Sequence, residues 1–458
     1  MDKNDKKILS GALILGMAAV VSKLLGAIYR IPLTKIIGGT GLGLYQMVFP
    51  VYTLLLDFSG ASVPNAVAKI ISSYNGVDKE EYARKILKTS LLFFSLLGAL
   101  FAAITAVFSD NIAVAQGNAD ASLAYVFLSP AVFFVCLICC FRGYFQGFVI
   151  MSYTAVSQIT EQFVKLAAGL SVASFFMSDI KKAVAGATFA ITLSEFVSLV
   201  FMVIVYVMHK KKRGYLSVAL DKKTFTLSLK KIFFYAVPIT LTGVTIPLSK
   251  VIDSFLIVNL MSGRVENPTA LYGLFSGVAA TVVGLPVAVC YGISAVVIPV
   301  ISSVKPEDKN KNALKAILLT AAVSVPCTIF CALFAPLIIR VLFGYLGETE
   351  KAVSVNLLRL CSPCVALLSI LQTVNGVLIG KDSPVKPIVG MMFGVAIKTV
   401  IEIFTLSDPR IGVYGAGVGA IACYFVANLV NLSMVFSVRR KRKGYGSSHV
   451  KIGRYADN

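Results

Sequence analysis

Apolar runs long enough to cross a bilayer, divided by short polar or basic stretches, recur along the whole chain. A helix rises 1.5 Å per residue, so about 20 apolar residues cover a hydrocarbon core about 30 Å thick. Read this way, the pattern predicts twelve spans, near 8–28, 46–74, 86–108, 121–141, 153–177, 183–208, 229–260, 269–301, 313–334, 353–379, 386–405 and 412–438. The expected fold is all-α, a polytopic membrane protein. The first run is too long for a signal peptide and lacks a small-residue cleavage site, so it reads as a retained helix. Three spans are interrupted: the second by Gly60 and Pro64, the seventh by Pro238, Gly243 and Pro247, the eighth by Pro286, Gly292 and Pro299. At membrane depth such breaks need neighbouring helices or a wet cavity to satisfy the freed backbone groups. They are the expected hinges.

Composition agrees with the pattern. Of 458 residues 57% are hydrophobic and only 14% charged, against about 25% charged in soluble domains. Mean hydropathy is +0.83. The net charge of +21 changes the picture only through its distribution. Lys and Arg gather in alternate loops, which puts both termini on the cytoplasmic side. The run His209–Arg213, in an expected linker 209–228, and Arg439–Lys443, in an expected tail 439–458, act as topology signals and attract anionic headgroups. Nucleic acid is not needed to explain them.

Soluble-enzyme chemistry finds little to work with. Only His209 and His449 are present, so neither a His-based metal site nor a nucleophile–His pair can be built. Cys136/Cys139 and Cys361/Cys364 have CxxC spacing, but they lie in apolar runs, where Cys packs as a small hydrophobe. Gly380-Lys381 is followed by Asp382, and Asn375 stands where a P-loop needs Gly, so direct ATP use is not supported. Neither an enzyme nor a cofactor is expected.

The chain repeats itself. Ser22-Lys23 and Leu44-Tyr45 recur 227 residues later as Ser249-Lys250 and Leu271-Tyr272. Ile71-Ser72-Ser73 recurs 230 later as Ile301-Ser302-Ser303. Ser129-Pro130, Gly143, Gly147 and Lys165 recur 233 later as Ser362-Pro363, Gly376, Gly380 and Lys398. An offset of six spans keeps the orientation, so the expectation is two pseudo-symmetric six-helix lobes, 1–208 and 229–438, around a central cavity.

Charges inside the apolar runs are costly, about 2.5–3.5 kcal/mol each at a helix centre, and so must face protein, water or one another. Three pairs have helical spacing: Glu161/Lys165, Lys250/Asp253 and Lys398/Glu402. They read as ion pairs or as ion-coupling sites. Setting them aside leaves Lys23, Arg30, Lys69 and Arg359 against Asp57 and Glu195. Lys23, mid-span with no acid at i±3 or i±4, points to a wet cavity with an anionic ligand, or to a partner on another helix such as Asp57.

The stretch Ile37-Gly38 through Gly41-Leu42-Gly43-Leu44-Tyr45-Gln46-Met47 resembles the first outer loop of the stage V sporulation protein B family. Phe141-Arg142-Gly143-Tyr144-Phe145-Gln146-Gly147, followed by Ser157-Gln158, Glu161-Gln162 and Lys165, resembles it too, as do Pro64-Asn65-Ala66 with Lys69 and Arg340-Val341-Leu342-Phe343-Gly344. That family belongs to the multidrug/oligosaccharidyl-lipid/polysaccharide flippase superfamily and is similar to the lipid II flippases. The resemblance implies two lobes rocking about a V-shaped cavity, with a lipid-linked, pyrophosphate-bearing precursor as cargo. It places Lys23 and Arg30 on the cavity wall. Two departures stand out: relatives carry two further C-terminal helices, and Leu54-Leu55-Leu56-Asp57 occupies the stretch where lipid II flippases have a cavity arginine.

The expected activity is export of an undecaprenyl-pyrophosphate-linked peptidoglycan or polysaccharide precursor, with Lys23, Arg30 and Lys69 on the head group. Na+ or H+ at Asp57, Asp253 or Glu402 is the candidate coupling ion. The expected partners are the lipid-linked anionic oligosaccharide, membrane lipids and cell-wall synthesis enzymes. A cation-coupled drug exporter on the same fold, or a non-transporting scaffold of a wall-synthesis or sporulation complex, is the alternative.

Overall fold

The computed structural model describes residues 3–74, 78–213, 221–381, 383–408 and 410–437. The predicted tail 439–458 and residues 214–220 of the predicted linker lie outside them. Among the described residues all regular structure is helical.

The first two predicted spans form one helical run, α1 (Lys3–Leu56), followed by a π-turn (Asp57–Ala61) and α2 (Val63–Ser72). The loop expected near Ile37–Met47 is helical instead. Its direction changes at Gly38, whose φ of 66° is one that side chains other than glycine rarely adopt. The stretch Ile14–Ser72, 59 residues long, would rise about 90 Å as a straight helix, far more than one crossing needs. Then come α3 (Lys79–Val107), α4 (Ser109–Ala115), α5 (Ser122–Gly147), α6 (Met151–Phe175) and α7 (Ile180–Arg213). The predicted seventh span is split into α8 (Lys222–Gly243) and α9 (Thr245–Met261), which meet at 49°. Pro247 removes the N–H that Gly243's carbonyl would have used, and this loosens the helix there. A short α10 (Pro268–Tyr272) and a second π-turn (Gly273–Ala279) lead into α11 (Ala280–Ser303). The chain finishes with α12 (Lys309–Leu333), α13 (Ala335–Phe343), α14 (Glu348–Cys361), α15 (Pro363–Gly380), α16 (Lys386–Leu406) and α17 (Tyr414–Phe436).

Nine helices among the described residues are long and apolar enough to cross a membrane, or ten with the bent α8–α9 pair. The count predicted from hydropathy was twelve. The difference has local causes. α1 and α2 merge into one long run, α6 carries Gln158, Glu161, Gln162 and Lys165, and α8 and α9 make a span only when the bent pair is taken together. Large apolar side chains such as Leu96, Phe175 and Phe404, 67%, 81% and 75% exposed, point outward. Lipid rather than water is the solvent for such a surface.

The repeat is visible in the packing. In the first half α1 packs on α6, α6 on α7, α7 on α5, and α5 on α2 and α3. In the second, α9 packs on α16, α16 on α17, α17 on α15, and α15 on α11 and α12. Repeat-related glycines make repeat-related contacts. A Cβ at Gly147 would lie 2.7 Å from the Ile71 Cβ, and one at Gly380 would lie 2.9 Å from the Ile301 Cβ. Each glycine lets two helices touch, the small-residue packing that membrane interiors favour.

The halves join at one end. A core of Tyr29, Leu33, Tyr45 and Met47 from α1, Tyr125 from α5, Ile257 and Met261 from α9, and Tyr272 and Phe343 runs across both. A Cβ at Gly43 would collide with the Thr269 carbonyl, and one at Gly273 would meet the Gly39 carbonyl oxygen at 2.5 Å. Asn267 Nδ2 donates to Thr40 Oγ1 (2.7 Å), Gln46 Nε2 to the Ser276 carbonyl (2.6 Å), and Tyr272 Oη to the Gln46 carbonyl (3.0 Å). Away from this seal the halves have separate cores, one around Val67, Ile71 and Cys140, another around Ile301, Val374 and Val377. One element crosses over. α8 packs on α2 and α3, with Ser62 and Thr240 hydroxyls 2.7 Å apart and the Phe93 and Phe233 rings 5.1 Å apart.

Candidate functional site

Below the seal, where the cores separate, a cavity of 560 Å³ opens between the halves. Its wall comes from α1, α6, α9, the second π-turn, α11 and α14–α17. Five of the lining side chains are cationic: Lys23 and Arg30 of α1, Lys165 of α6, Lys250 of α9 and Lys398 of α16. One is acidic, Asp253. Exposure falls from Lys23 and Lys250 to buried Tyr45 and Phe275, so the cavity opens away from the seal.

Both members of two repeat pairs, Lys23 with Lys250 and Lys165 with Lys398, meet in this single cavity. A twofold relation between halves carries equivalent positions onto facing walls. A cation at one repeat position therefore becomes a cation pair.

Lys23 Nζ stands 3.4 Å from the centroid of the Tyr291 ring, a cation–π contact worth about 0.5–2 kcal/mol. It makes no ion pair among the described residues. Arg30 donates from Nη1 to Thr281 Oγ1 at 3.1 Å and lies 5.7 Å from the Phe49 ring centroid. Neither cation pairs with a carboxylate among the described residues.

The structure re-sorts the ion pairs read from helical spacing. Glu161 pairs with Arg142 at 3.2 Å instead of with Lys165. Arg142 Nε also donates to Ser157 Oγ (3.0 Å), and Gln162 Nε2 donates to Glu161 Oε1 (3.0 Å). A guanidinium can serve several acceptors in one plane, which a single ammonium on the same helix cannot do. Lys165 is left facing the cavity. Asp253 pairs with Lys398 at 2.6 Å instead of with Lys250, so Lys250 also faces the cavity. The Lys398/Glu402 pairing survives only as a 3.8 Å approach. Spacing along one helix says which side chains are close, while the neighbouring helix decides which of them meet.

Three expected site residues lie elsewhere. Lys69 is exposed in the last turn of α2 and is absent from the cavity wall. Arg359 is exposed in the last turn of α14 and is not a buried charge. Asp57 opens the first π-turn with its carboxylate toward Gly243, at the bend between α8 and α9 (3.3 Å from a Cβ placed there), and not toward Lys23. Sequence reasoning passed over Arg142 as a functional residue, although it lies at the end of an apolar run inside the Arg-Gly-Tyr-Phe-Gln-Gly motif. It counted Glu195 among the intramembrane acids without giving it a role; Glu195 is buried and accepts from Tyr52 Oη at 3.4 Å. All nine Cys are free thiols, and Cys361 and Cys364 sit on the cavity wall. Among the described residues no group of three or more His, Cys, Asp and Glu is placed to hold a metal ion.

The family model for polysaccharide biosynthesis proteins matches residues 8–305. The chain belongs to this family. Similar proteins include lipid II flippase MurJ of Bacillus subtilis, 28% identical over 96% of this chain and 84% of MurJ. Stage V sporulation protein B of the same organism is 24% identical over 97% of this chain and 87% of its own. Among solved structures, MurJ in an inward closed conformation superposes with a TM-score of 0.72 at 14% identity, covering 92% of this chain and 87% of MurJ. An inward-facing multidrug-resistance MATE transporter superposes with a TM-score of 0.70 at 15% identity, covering 92% and 98%. The fold of this polysaccharide biosynthesis family member is thus shared with a flippase and a multidrug transporter. It is a multi-pass membrane protein.

Proposed function

We propose that this protein moves a lipid-linked, diphosphate-bearing cell-wall or polysaccharide precursor across the cytoplasmic membrane by alternating access. The observation that carries the reading is the convergence of Lys23, Arg30, Lys165 and Lys250 on one cavity with no carboxylate among the described residues paired to any of them. Around the cavity and the network behind it stand six cations (these four, Arg142 and Lys398) and four acids (Glu161, Glu195, Asp253 and Glu402). Two positive charges stay uncompensated even with every carboxylate ionised. A prenyl diphosphate-sugar carries two negative charges to match.

A diphosphate head cannot enter hydrocarbon unaided, because stripping its water costs far more than any contact in lipid returns. The cavity replaces that water with ammonium and guanidinium donors, while the prenyl chain stays in the bilayer. With the N-terminus cytoplasmic, the sealed end is external and this conformation is open to the cytoplasm, where such precursors are assembled. Bending at Gly243–Pro247 and at the two π-turns would let the halves rock and the seal part. An exporter of cationic drugs would want the opposite charge on its cavity wall.

The test is translocation by purified protein in liposomes carrying fluorescent undecaprenyl-diphosphate oligosaccharides, with head groups scored by an impermeant quencher. Faster transfer than in empty liposomes, lost in Lys23→Ala/Lys250→Ala, is expected. No transfer of any lipid-linked diphosphate, under either polarity of membrane potential or a Na+ or H+ gradient, would refute the proposal.

A further inference from the structure

The two halves differ most where α8 crosses over. It lies along α2 and α3, and its fully buried Ile232 joins Val63, Val67 and Ile86 in one core. Thr240 of α8 meets the Ser62 hydroxyl there, and Lys231 Nζ donates to Tyr82 Oη at 3.3 Å. The repeat offset of 230 carries this seat onto the second half. It matches Ala83, Leu87 and Ser90, buried on α3, with Ala313, Ile317 and Thr320, buried on α12. Ser62, Val63, Val67, Tyr82 and Ile86 then correspond to Gly292, Ile293, Val297, Asn312 and Ala316. All five of these line a groove of 490 Å³ between α11 and α12. Among the described residues no helix fills it as α8 fills its counterpart, and Val296 and Leu319 on its walls are 45% and 56% exposed. Gly292 and Ala316 make the space, standing where Ser62 and Ile86 carry larger side chains.

The charge at one end of the groove changes as well. In the first turns of α3, Lys85 pairs with Glu81 at 2.7 Å. The same positions on α12 hold Lys315, on the groove wall, and Lys311. Like charges one turn apart repel. Neither lysine makes an ion pair among the described residues, although Glu307 and Asp308 lie just before the helix. The groove also touches Ile301, whose core lies away from the seal. An apolar trough with a doubly cationic rim therefore sits at the end of the molecule taken above as cytoplasmic.

We propose that this groove binds an anionic glycerophospholipid, with one acyl chain between α11 and α12 and the phosphate on Lys311 and Lys315. In hydrocarbon an unfilled groove loses packing contacts, and the acyl chain restores those that α8 supplies in the other half. The phosphate relieves the repulsion between the two lysines and takes charge-assisted hydrogen bonds from both. The chain's own basic run, Arg439–Lys443, has the wrong charge for that rim. The diphosphate of the proposed cargo finds its match in the central cavity, whose wall shares no residue with the groove. The lipid site is therefore independent of the transport reading.

The chain has no Trp, so Leu319→Trp puts a single fluorophore on the groove wall. Leu92→Trp, on α3 at a site 52% exposed and one turn from Lys88, is the control for lipid gathered by surface charge alone. Each full-length variant is placed in phosphatidylcholine nanodiscs with rising fractions of phosphatidylglycerol brominated on its acyl chains, which quenches Trp on contact. Leu319→Trp should reach half-maximal quenching at about a tenfold lower fraction than Leu92→Trp. With brominated phosphatidylcholine as quencher the two should respond alike. Adding Lys311→Gln/Lys315→Gln to Leu319→Trp should abolish its advantage, and Ala316→Phe, which fills the groove and leaves the lysines in place, should do the same. Identical phosphatidylglycerol curves for the two reporters, or an advantage that survives loss of both lysines, would overturn the proposal. So would full reversal of the quenching by unbrominated farnesyl diphosphate at one tenth the fraction, because the groove would then hold the chain of the cargo.

Discussion

Arg142→Met offers a demanding test of the electrostatic architecture, because the residue does not line the cavity. Its guanidinium is 11% exposed and holds Glu161, itself 17% exposed, at 3.2 Å. Removing one partner of a buried ion pair costs about 3–5 kcal/mol. Lys165, one helical turn from Glu161, is close enough to take over part of Arg142's role, so the lower end, about 3 kcal/mol, is expected. That loss should appear in equilibrium unfolding by SDS in mixed micelles. The substitution should also act at a distance. Once Glu161 turns to Lys165, the lysine is withdrawn from the cavity, and one charge-assisted hydrogen bond to the ligand, worth about 1.5 kcal/mol or roughly tenfold in affinity, is lost. Neutralising the acid as well, in Arg142→Met/Glu161→Gln, should free Lys165, restore prenyl diphosphate binding and recover much of the stability, because no uncompensated buried charge remains. If Arg142→Met binds like wild type, or if the second substitution fails to rescue it, the proposed competition for Lys165 is wrong.

Other expectations concern the cavity and its seal. Lys23→Ala and Lys250→Ala should each weaken prenyl diphosphate binding about tenfold by loss of a charged contact, and the double variant by more than either, in nanodisc titrations at fixed salt. Tyr291→Leu should keep the Lys23 charge but lose its cation–π support, a smaller effect of about 0.5–1 kcal/mol, or roughly two- to fivefold, read in the same titration. Lys69→Ala and Arg359→Ala should leave affinity within twofold, since both side chains are exposed away from the cavity. Gly43→Val would drive a side chain into the Thr269 carbonyl. It should part the seal, raising the labelling rate of a Thr40→Cys thiol by an impermeant maleimide from the outer side.

Much of the architecture was legible in the chain. Membrane spanning follows from apolar run length, because no other structure than a helix or closed barrel satisfies a backbone in hydrocarbon. The repeat needed only a matched series of short motifs, and Gly147 against Ile71 with Gly380 against Ile301 shows why those residue types recur. From Lys23, which no acid on its own helix could neutralise, the chain left two readings open, a wet cavity or a partner on another helix such as Asp57. What the linear order could not supply was pairing. Spacing of four residues joined Glu161 to Lys165 and of three joined Lys250 to Asp253, yet Arg142 and Lys398, from other helices, claimed both acids. Burial strengthens whichever charge contact has the better geometry, and that geometry exists only once helices are side by side. The same holds for Lys69 and Arg359, cations by sequence alone, whose distance from the cavity was settled by where α2 and α14 end.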